Sequence, residues 1–277
     1  MEGTEIQGAV FILFSKKGEP LIAPYGPAMY QGILLNGNFK DQLSHKKTTH
    51  EFRVTEKLIA ELSTHYRTIS FSLHYTYVDI RPFQWFNYHS PEKGLFSISV
   101  NYTGILDVSR FASFEEYLSS IRSVRRYEYK RAIKSGLKIE LSQDIQILDA
   151  LHEITFKRQN IQRTTQQIEF LQFITKMALS EGFGELLICR TSEGVPIAAT
   201  LFLFDSKSAY YLYGANNPEY RSCFGGTLLI LENIRRCFDR GVKLVDFVGI
   251  NSPNRGDFKI SFNAVPVPYY NVLWKHP

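Results

Sequence analysis

No apolar run in the 277 residues reaches the ~18 needed to cross a bilayer, so no membrane span is expected. Cysteine is scarce. Cys189, Cys223 and Cys237 show neither metal-ligand nor disulfide spacing, which argues against a metal centre and a stapled secreted fold. Val10 to Phe14 is too short for a signal-peptide core and no basic stretch precedes it, so a reducing cytoplasm is the expected location. A long basic tail is also missing. The net charge of +5 is mild, and both a small anionic ligand and a nucleic acid are compatible with it. No internal repeat is evident.

What the chain has is aromatic residues. They make up 14% of it, mostly Tyr and Phe, and aromatic-rich strands favour a sheet over a helical bundle. The length allows one large domain or two modest ones.

Ala9 to Phe14 reads as a strand with Lys16-Lys17-Gly18-Glu19 as its turn, and Pro24-Tyr25-Gly26-Pro27 reads as irregular. Lys46 to Tyr66 has helical spacing of Phe52, Leu58, Ile59 and Leu62. Thr68 to Leu73 and Phe96 to Tyr102 alternate as strands. Between them Arg81 to Gly94 reads as an aromatic loop holding Trp85 and His89. A second half begins near Asp107. Phe114 to Ser135 reads as one helix, capped by Ser113 with Glu116 three residues on and stopped by Gly136. Ile145 to Thr155 and Gln166 to Leu179 follow as helices. Glu185 to Arg190, Pro196 to Phe204 and Tyr210 to Tyr213 form a meander. Gly225-Gly226 opens a helix from Thr227 to Asp239, and Val242 to Val248 and Pro266 to Trp274 are the last strands. The expected fold is α/β with a mixed sheet. It has two parts: residues 1–106, a degenerate half, and 107–277, a more complete one.

The richest stretch is 245–270: a buried strand, a Gly/Asn/Ser/Pro loop, one turn carrying Phe258, Lys259 and Phe262, and another strand. Strands fix positions and loops expose groups to ligand. Lys259 reads either as a charge at a reaction centre or as a solvated turn lysine. Asp246 reads as a proton acceptor or as a brace for the turn, Tyr213 as an acid or as a packed strand tyrosine. Gly225-Gly226 at a helix start allow close approach of a phosphate to the helix N-terminus, with Arg221 nearby to pair with it; a plain tight turn is the other reading. Arg122, Arg125, Arg126, Lys130, Arg131 and Lys134 put six cations in 13 residues, either a solvated helix face or a groove for a diphosphate or a tRNA acceptor stem. Lys157, Arg158 and Arg163 could join it. His45, His89 and His152 are possible bases.

The order of meander, glycine-led helix and strand is that of the GNAT acyltransferase superfamily. Within it Tyr210-Tyr211-Leu212-Tyr213-Gly214-Ala215, Asn217-Pro218-Glu219-Tyr220-Arg221, Asp246-Phe247-Val248-Gly249 and Phe258-Lys259 with Phe262 resemble the Fem-like branch. The basic helix and the segment Arg81 to Trp85 resemble it too. At the usual pyrophosphate loop Phe224 stands where the family has glycine, and the glycines fall at Gly225 and Gly226.

The resemblance implies a GNAT-like fold in two halves and N-acyl transfer by direct attack in a ternary complex. The donor it implies is an acyl-CoA thioester. The acceptor is the amine of a nucleotide-linked amino sugar or another cell-envelope precursor. Lys259, with Tyr213 and Asp246, would serve the chemistry. Arg221, Gly225, Gly226, Thr227 and Phe258 would hold the donor, and Arg126, Arg158, Trp85 and His89 the acceptor. No metal is required. Two other readings stand beside it: a transferase that takes its acyl group from aminoacyl-tRNA, and a non-catalytic GNAT-like binding protein.

Overall fold

The computed structural model describes residues 5–15, 18–20, 29–37 and 44–277. The expected turn residues Lys16 and Lys17 and the segment Pro24 to Pro27 lie outside the described residues. The chain divides into two units, Met1–Tyr102 with Val267–Pro277, and Thr103–Pro266. The closing segment groups with the first unit, not the second, because its strand pairs there.

In the first unit β1 (Gly8–Phe11) pairs antiparallel with β2 (Gly32–Leu35). Helix α1 (Ser44–His65) follows, then β3 (Thr68–Ser72). The aromatic segment expected as a loop contains a short helix α2 (Arg81–Trp85), started by Pro82 in its first turn. There the ring supplies the φ a helix needs and the missing N–H costs nothing. β4 (Ser97–Asp107) and β10 (Val265–Lys275) contribute residues to both units. β10 pairs antiparallel with β3, from Asn271 opposite Ser72 to Lys275 opposite Thr68. Ile59, Ile69, Phe71, Phe83, Phe96, Val272 and Trp274 form this unit's core. Each fully buried side chain of this size contributes roughly 2 kcal/mol.

The second unit has the strand order β4-β9-β8-β7-β6-β5. Its members are β5 (Lys138–Ser142), β6 (Gly184–Arg190), β7 (Pro196–Phe204), β8 (Ser208–Asn216) and β9 (Leu244–Asp246). All neighbours in that order from β4 onward run antiparallel except β8 and β9, which are parallel; the sheet is therefore mixed. α5 (Ile145–Lys157) and α6 (Thr165–Ser180) cover one face through Leu148, Leu151 and Leu171. α7 (Gly225–Asp239) packs on the other through Leu229, Ile230, Leu231 and Ile234. α8 (Pro253–Ile260) follows β9.

Two expectations on this unit are corrected. The basic segment is not one helix. It breaks into α3 (Phe114–Ser120) and α4 (Ser123–Lys134). Ile121 takes an extended conformation (ψ 164°) and is 2% exposed in the core, so burying it turns the chain between the two helices. The Ser113 cap forms as expected, but Glu116 accepts from the N–H of Ala112. β5 was not anticipated: its alternation is masked by Lys138 and Glu140, which pair across to Arg190 and Ile188 of β6.

Candidate active site

Parallel pairing between β8 and β9 lasts three residues, from Ser208 opposite Leu244 to Tyr210 opposite Asp246. β8 then runs on to Asn216, while the chain after Asp246 turns away through two left-handed residues, Val248 (φ 51°) and Gly249 (φ 66°). The ladder between the two strands therefore ends at Asp246 while β8 continues beyond it. For a β-branched residue a positive φ is strained. The surrounding groups enforce it. Asp246, 1% exposed, accepts the Val248 N–H at 2.8 Å and the Thr103 hydroxyl. Asp246 is thus the brace of the turn.

Lys259 completes that brace. Its Nζ donates to the carbonyl oxygens of Val248 (2.6 Å) and Gly249 (2.9 Å) and lies 5.5 Å from the centre of the Tyr211 ring. α8 can approach the loop this closely because Gly256 has no side chain: a Cβ there would sit 2.4 Å from the carbonyl oxygen of Ile250. Burial pushes the Lys259 ammonium down to about 8, the Arg255 charge adds to the effect, and Asp246 opposes it. A charged ammonium has three N–H donors, and two are committed to carbonyls.

The tyrosine beside Lys259 is Tyr211, not Tyr213. In a regular strand both would face the same way. Here the register shifts between Leu201 and Phe202, so that Leu201 faces Tyr213 and Phe202 faces Tyr211. This β-bulge leaves Leu212 as the extra residue and turns Tyr213 to the opposite face. Tyr211 stacks on Phe202 at 5.2 Å. Its hydroxyl covers Gly214, where a Cβ could not fit. Tyr213 packs instead against the His152 ring of α5, 5.3 Å away.

His152 is 8% exposed, and burial, helped by the Arg163 charge, pushes it down to about 4. Arg163 contacts its Nδ1 at 3.3 Å, which makes Nδ1 the acceptor and leaves the proton of the neutral ring on Nε2. Arg163 is also paired with Asp149.

At the α7 end no side chain caps the helix, and its N-cap Phe224 is itself left-handed (φ 60°). The first-turn N–H groups are those an anion would use. The two glycines, however, are close to protein. A Cβ on Gly225 would meet Ile197, Ala198 and Cys189, and one on Gly226 would lie 2.4 Å from the Asn216 side chain. Thr227 donates its hydroxyl to Glu128 at 2.5 Å, which places a carboxylate beside that first turn. Arg125 pairs with the same carboxylate at 2.5 Å, reaches Thr227 at 3.3 Å and lies over the Phe258 ring at 4.8 Å. Arg125 thus joins α4, α7 and α8. Burial lowers its pKa from the ordinary arginine value.

Of the other expected residues, Arg221 is exposed on a 3-10 turn (Pro218–Cys223). Arg126 donates to the Ser119 carbonyl, and Arg122 reaches Asp257 of α8 at 2.7 Å. Arg158 is exposed at the end of α5. Trp85 and His89 belong to the first unit. Trp85 is 52% exposed, with its ring centre 5.2 Å from that of Phe52 at a steep angle and the Arg81 guanidinium 5.5 Å from its ring. His89 is exposed beside Tyr88, and His45 is exposed on α1. Glu128 and Thr103 carry no signal in the sequence, Tyr211 stands out only within the motif 210–215, and Arg125 only as one of six cations. Arg125 sits in a run of basic residues, and only the break at Ile121 decides which of them faces inward. Among the described residues no cluster of His, Cys, Asp and Glu is arranged to hold a metal, and no helix is long and apolar enough to cross a membrane.

A short parallel strand pair, with a glycine-led helix following the first strand and a lysine-bearing helix the second, is the arrangement of an acyltransferase of the GNAT type. Residues 119–259 match the model of the acetyltransferase (GNAT) domain, and the chain belongs to that family. In fold it is Fem-like. It is similar to the crystal structure of FemX, with a TM-score of 0.67 at 15% identity, over 98% of this chain and 86% of that one. It is also similar to a conserved protein of unknown function from Bacteroides thetaiotaomicron VPI-5482, with a TM-score of 0.56 at 12% identity, over 82% of this chain and 75% of that one. No curated protein gives a significant match.

Proposed function

We propose that the protein is an N-acyltransferase that moves an acyl group from acyl-CoA to the amine of a nucleotide-linked amino sugar or related cell-envelope precursor. The observation that carries this reading is the end of the parallel β8–β9 pairing at Asp246, with the strained Val248-Gly249 turn directly after it and the Lys259 ammonium on that turn. In the reaction the neutral amine attacks the thioester carbonyl. The C–N bond forms, the C–S bond breaks, and the thiol leaves with a proton derived from the amine. No cysteine is asked to form a covalent intermediate. Burial pushes Cys189 and Cys237 up to about 12, which leaves them as thiols at neutral pH and poor nucleophiles.

Lys259 carries positive charge at neutral pH and keeps one N–H beyond the two bound to carbonyls. That charge would stabilise the oxyanion that forms when the amine adds. The same contacts hold the turn, so Lys259 also positions the backbone of residues 248–249. Asp246 is committed to the turn and to Thr103 and does not serve as base in this reading. Arg125 and Phe258 would border the donor.

A second reading takes the acyl group from aminoacyl-tRNA. Glu128 beside the first turn of α7 and the Asn216 side chain against Gly226 favour it, because both crowd the place where a coenzyme A diphosphate would lie. A non-catalytic binding role is the third. The test is a thiol-release screen of acyl-CoAs against nucleotide amino sugars, run beside transfer of a labelled amino acid from charged tRNA. Thiol release that is lost in Lys259→Ala, with the fold retained by circular dichroism, supports the first reading. Label transfer without thiol release moves the assignment to the second, and neither activity leaves the binding role.

A further inference from the structure

The sheet of the second unit ends on β5. This strand pairs with β6 along one side, and among the described residues no strand lies along the other. An edge strand presents a row of backbone N–H and C=O groups to which a further strand can add. The side chains of β5 sort by face, because residues directly opposite one another in a sheet project the same way. Ile139 and Leu141 stand opposite Cys189 and Leu187, which lie in the core under α7. Glu140 and Ser142 stand opposite Ile188 and Leu186, under α5 and α6. Alternation puts Leu137 in the apolar row and Lys138 beside Glu140.

Two observations say what fits this edge. On its β6 side Lys138 faces Arg190, whose Nε donates to Glu140 at 2.8 Å. Like charges directly opposite one another are destabilising, and a carboxylate on the free side of Lys138 would offset this. Residues 137–141 read Leu-Lys-Ile-Glu-Leu. Turned about a twofold axis at Ile139 and laid antiparallel on itself, this segment is its own complement. Leu137 meets Leu141, Lys138 meets Glu140, and Ile139 meets its own copy. A slip of one residue sets each charge against an apolar side chain. A slip of two sets lysine against lysine or glutamate against glutamate. Leu141, 56% exposed, is covered in the self-paired register.

We infer that β5 is the edge through which two copies of this chain join, with the sheet running on from one copy into the other. A twofold interface has to be self-complementary, and this segment is so in its backbone, its charges and its apolar row. Glu140 of one copy then lies between its own Arg190 and Lys138 of the second copy. A lysine on an edge strand deters chance pairing; here the same lysine selects the partner and fixes the register. The inference is independent of the acyl-transfer reading, because no residue assigned to that reaction lies on β5.

The experiment is analytical sedimentation of the full chain from about 10 to about 500 µM. Lys138→Glu and Glu140→Lys are run alone, as an equimolar mixture, and combined in one chain. The parent should pass from monomer to dimer as concentration rises. Lys138→Glu sets carboxylate against carboxylate across the axis, and Glu140→Lys sets ammonium against ammonium. Each alone should therefore dimerise at least about tenfold more weakly than the parent. The mixture pairs opposite charges at both contacts and should recover the dimer. The doubly substituted chain, in which the two charges trade places, should recover it too. Circular dichroism checks that each variant folds. If Glu140→Lys does not fold for want of its Arg190 pair, Lys138→Glu against the doubly substituted chain decides. The inference fails if the parent stays monomeric at the highest concentration, if either single variant dimerises as well as the parent, or if the doubly substituted chain does not recover the dimer.

Discussion

At Val248 the chain keeps a β-branched residue at φ 51°, and the reason is local. The Asp246 carboxylate takes its N–H and Lys259 takes its carbonyl, so both ends of the peptide are held. A glycine would adopt the same backbone without steric cost. Val248→Gly should therefore leave the turn in place and, net of the extra freedom of the unfolded chain, raise stability by about 1 kcal/mol. Urea unfolding measures it; a loss of more than about 1 kcal/mol would show that the valine side chain, not the turn, is what the position needs. Lys259 was legible in the sequence as the residue to watch, since it stood on a turn between two apolar strands. Its partners were not. That a lysine would serve its own preceding loop depends on how closely α8 approaches, and this rests on Gly256 and on three-dimensional packing.

At the scale of elements, most strands and helices of the second unit follow from alternation and helical spacing, and the mixed sheet was readable. Three features were not. The break at Ile121 has no proline or glycine to announce it, because burial of one side chain causes it. The bulge at Leu212 in the run 210–213 is equally silent: Tyr211 and Tyr213 share parity, and only the cross-strand register shows that they face apart. The α7 start was legible as a glycine-led helix, but its neighbour Glu128 comes from α4, about a hundred residues earlier. A carboxylate beside a helix N-terminus interacts favourably with the helix dipole, so Glu128 occupies in charge what a donor phosphate would occupy in the proposed function. Removing that charge should favour the ligand. Glu128→Gln is expected to tighten coenzyme A by about two- to fivefold, on the order of 0.5–1 kcal/mol, measured as a larger rise in melting temperature at fixed ligand concentration. Unchanged or weaker binding would place the coenzyme A diphosphate elsewhere, and would strengthen the reading in which the donor is charged tRNA.

For the whole molecule two buried bases shape stability against pH, and both act in the same direction. His152 is held at about 4 in the folded protein against 6.5 when free. Between those values the unfolded chain binds a proton that the folded chain refuses, so stability rises with pH across that window and is lost as pH falls through it. The full span is worth up to about 3 kcal/mol. Lys259, held at about 8 against 10.5, repeats the argument higher up: stability rises again between those values, by a similar order. The two windows can be separated by substitution. His152→Phe keeps a flat ring beside Phe156 and Tyr213 and removes the titration, so its unfolding free energy, relative to the parent, should improve as the pH is lowered from 6.5 to 4. Lys259→Met should do the same only as the pH is lowered from 10.5 to 8. Denaturant melts at four pH values decide the matter. If His152→Phe runs parallel to the parent from pH 4 to 6.5, the imidazole accepts a proton in place, and its environment against Arg163 is more open than the burial of α5 on β8 implies.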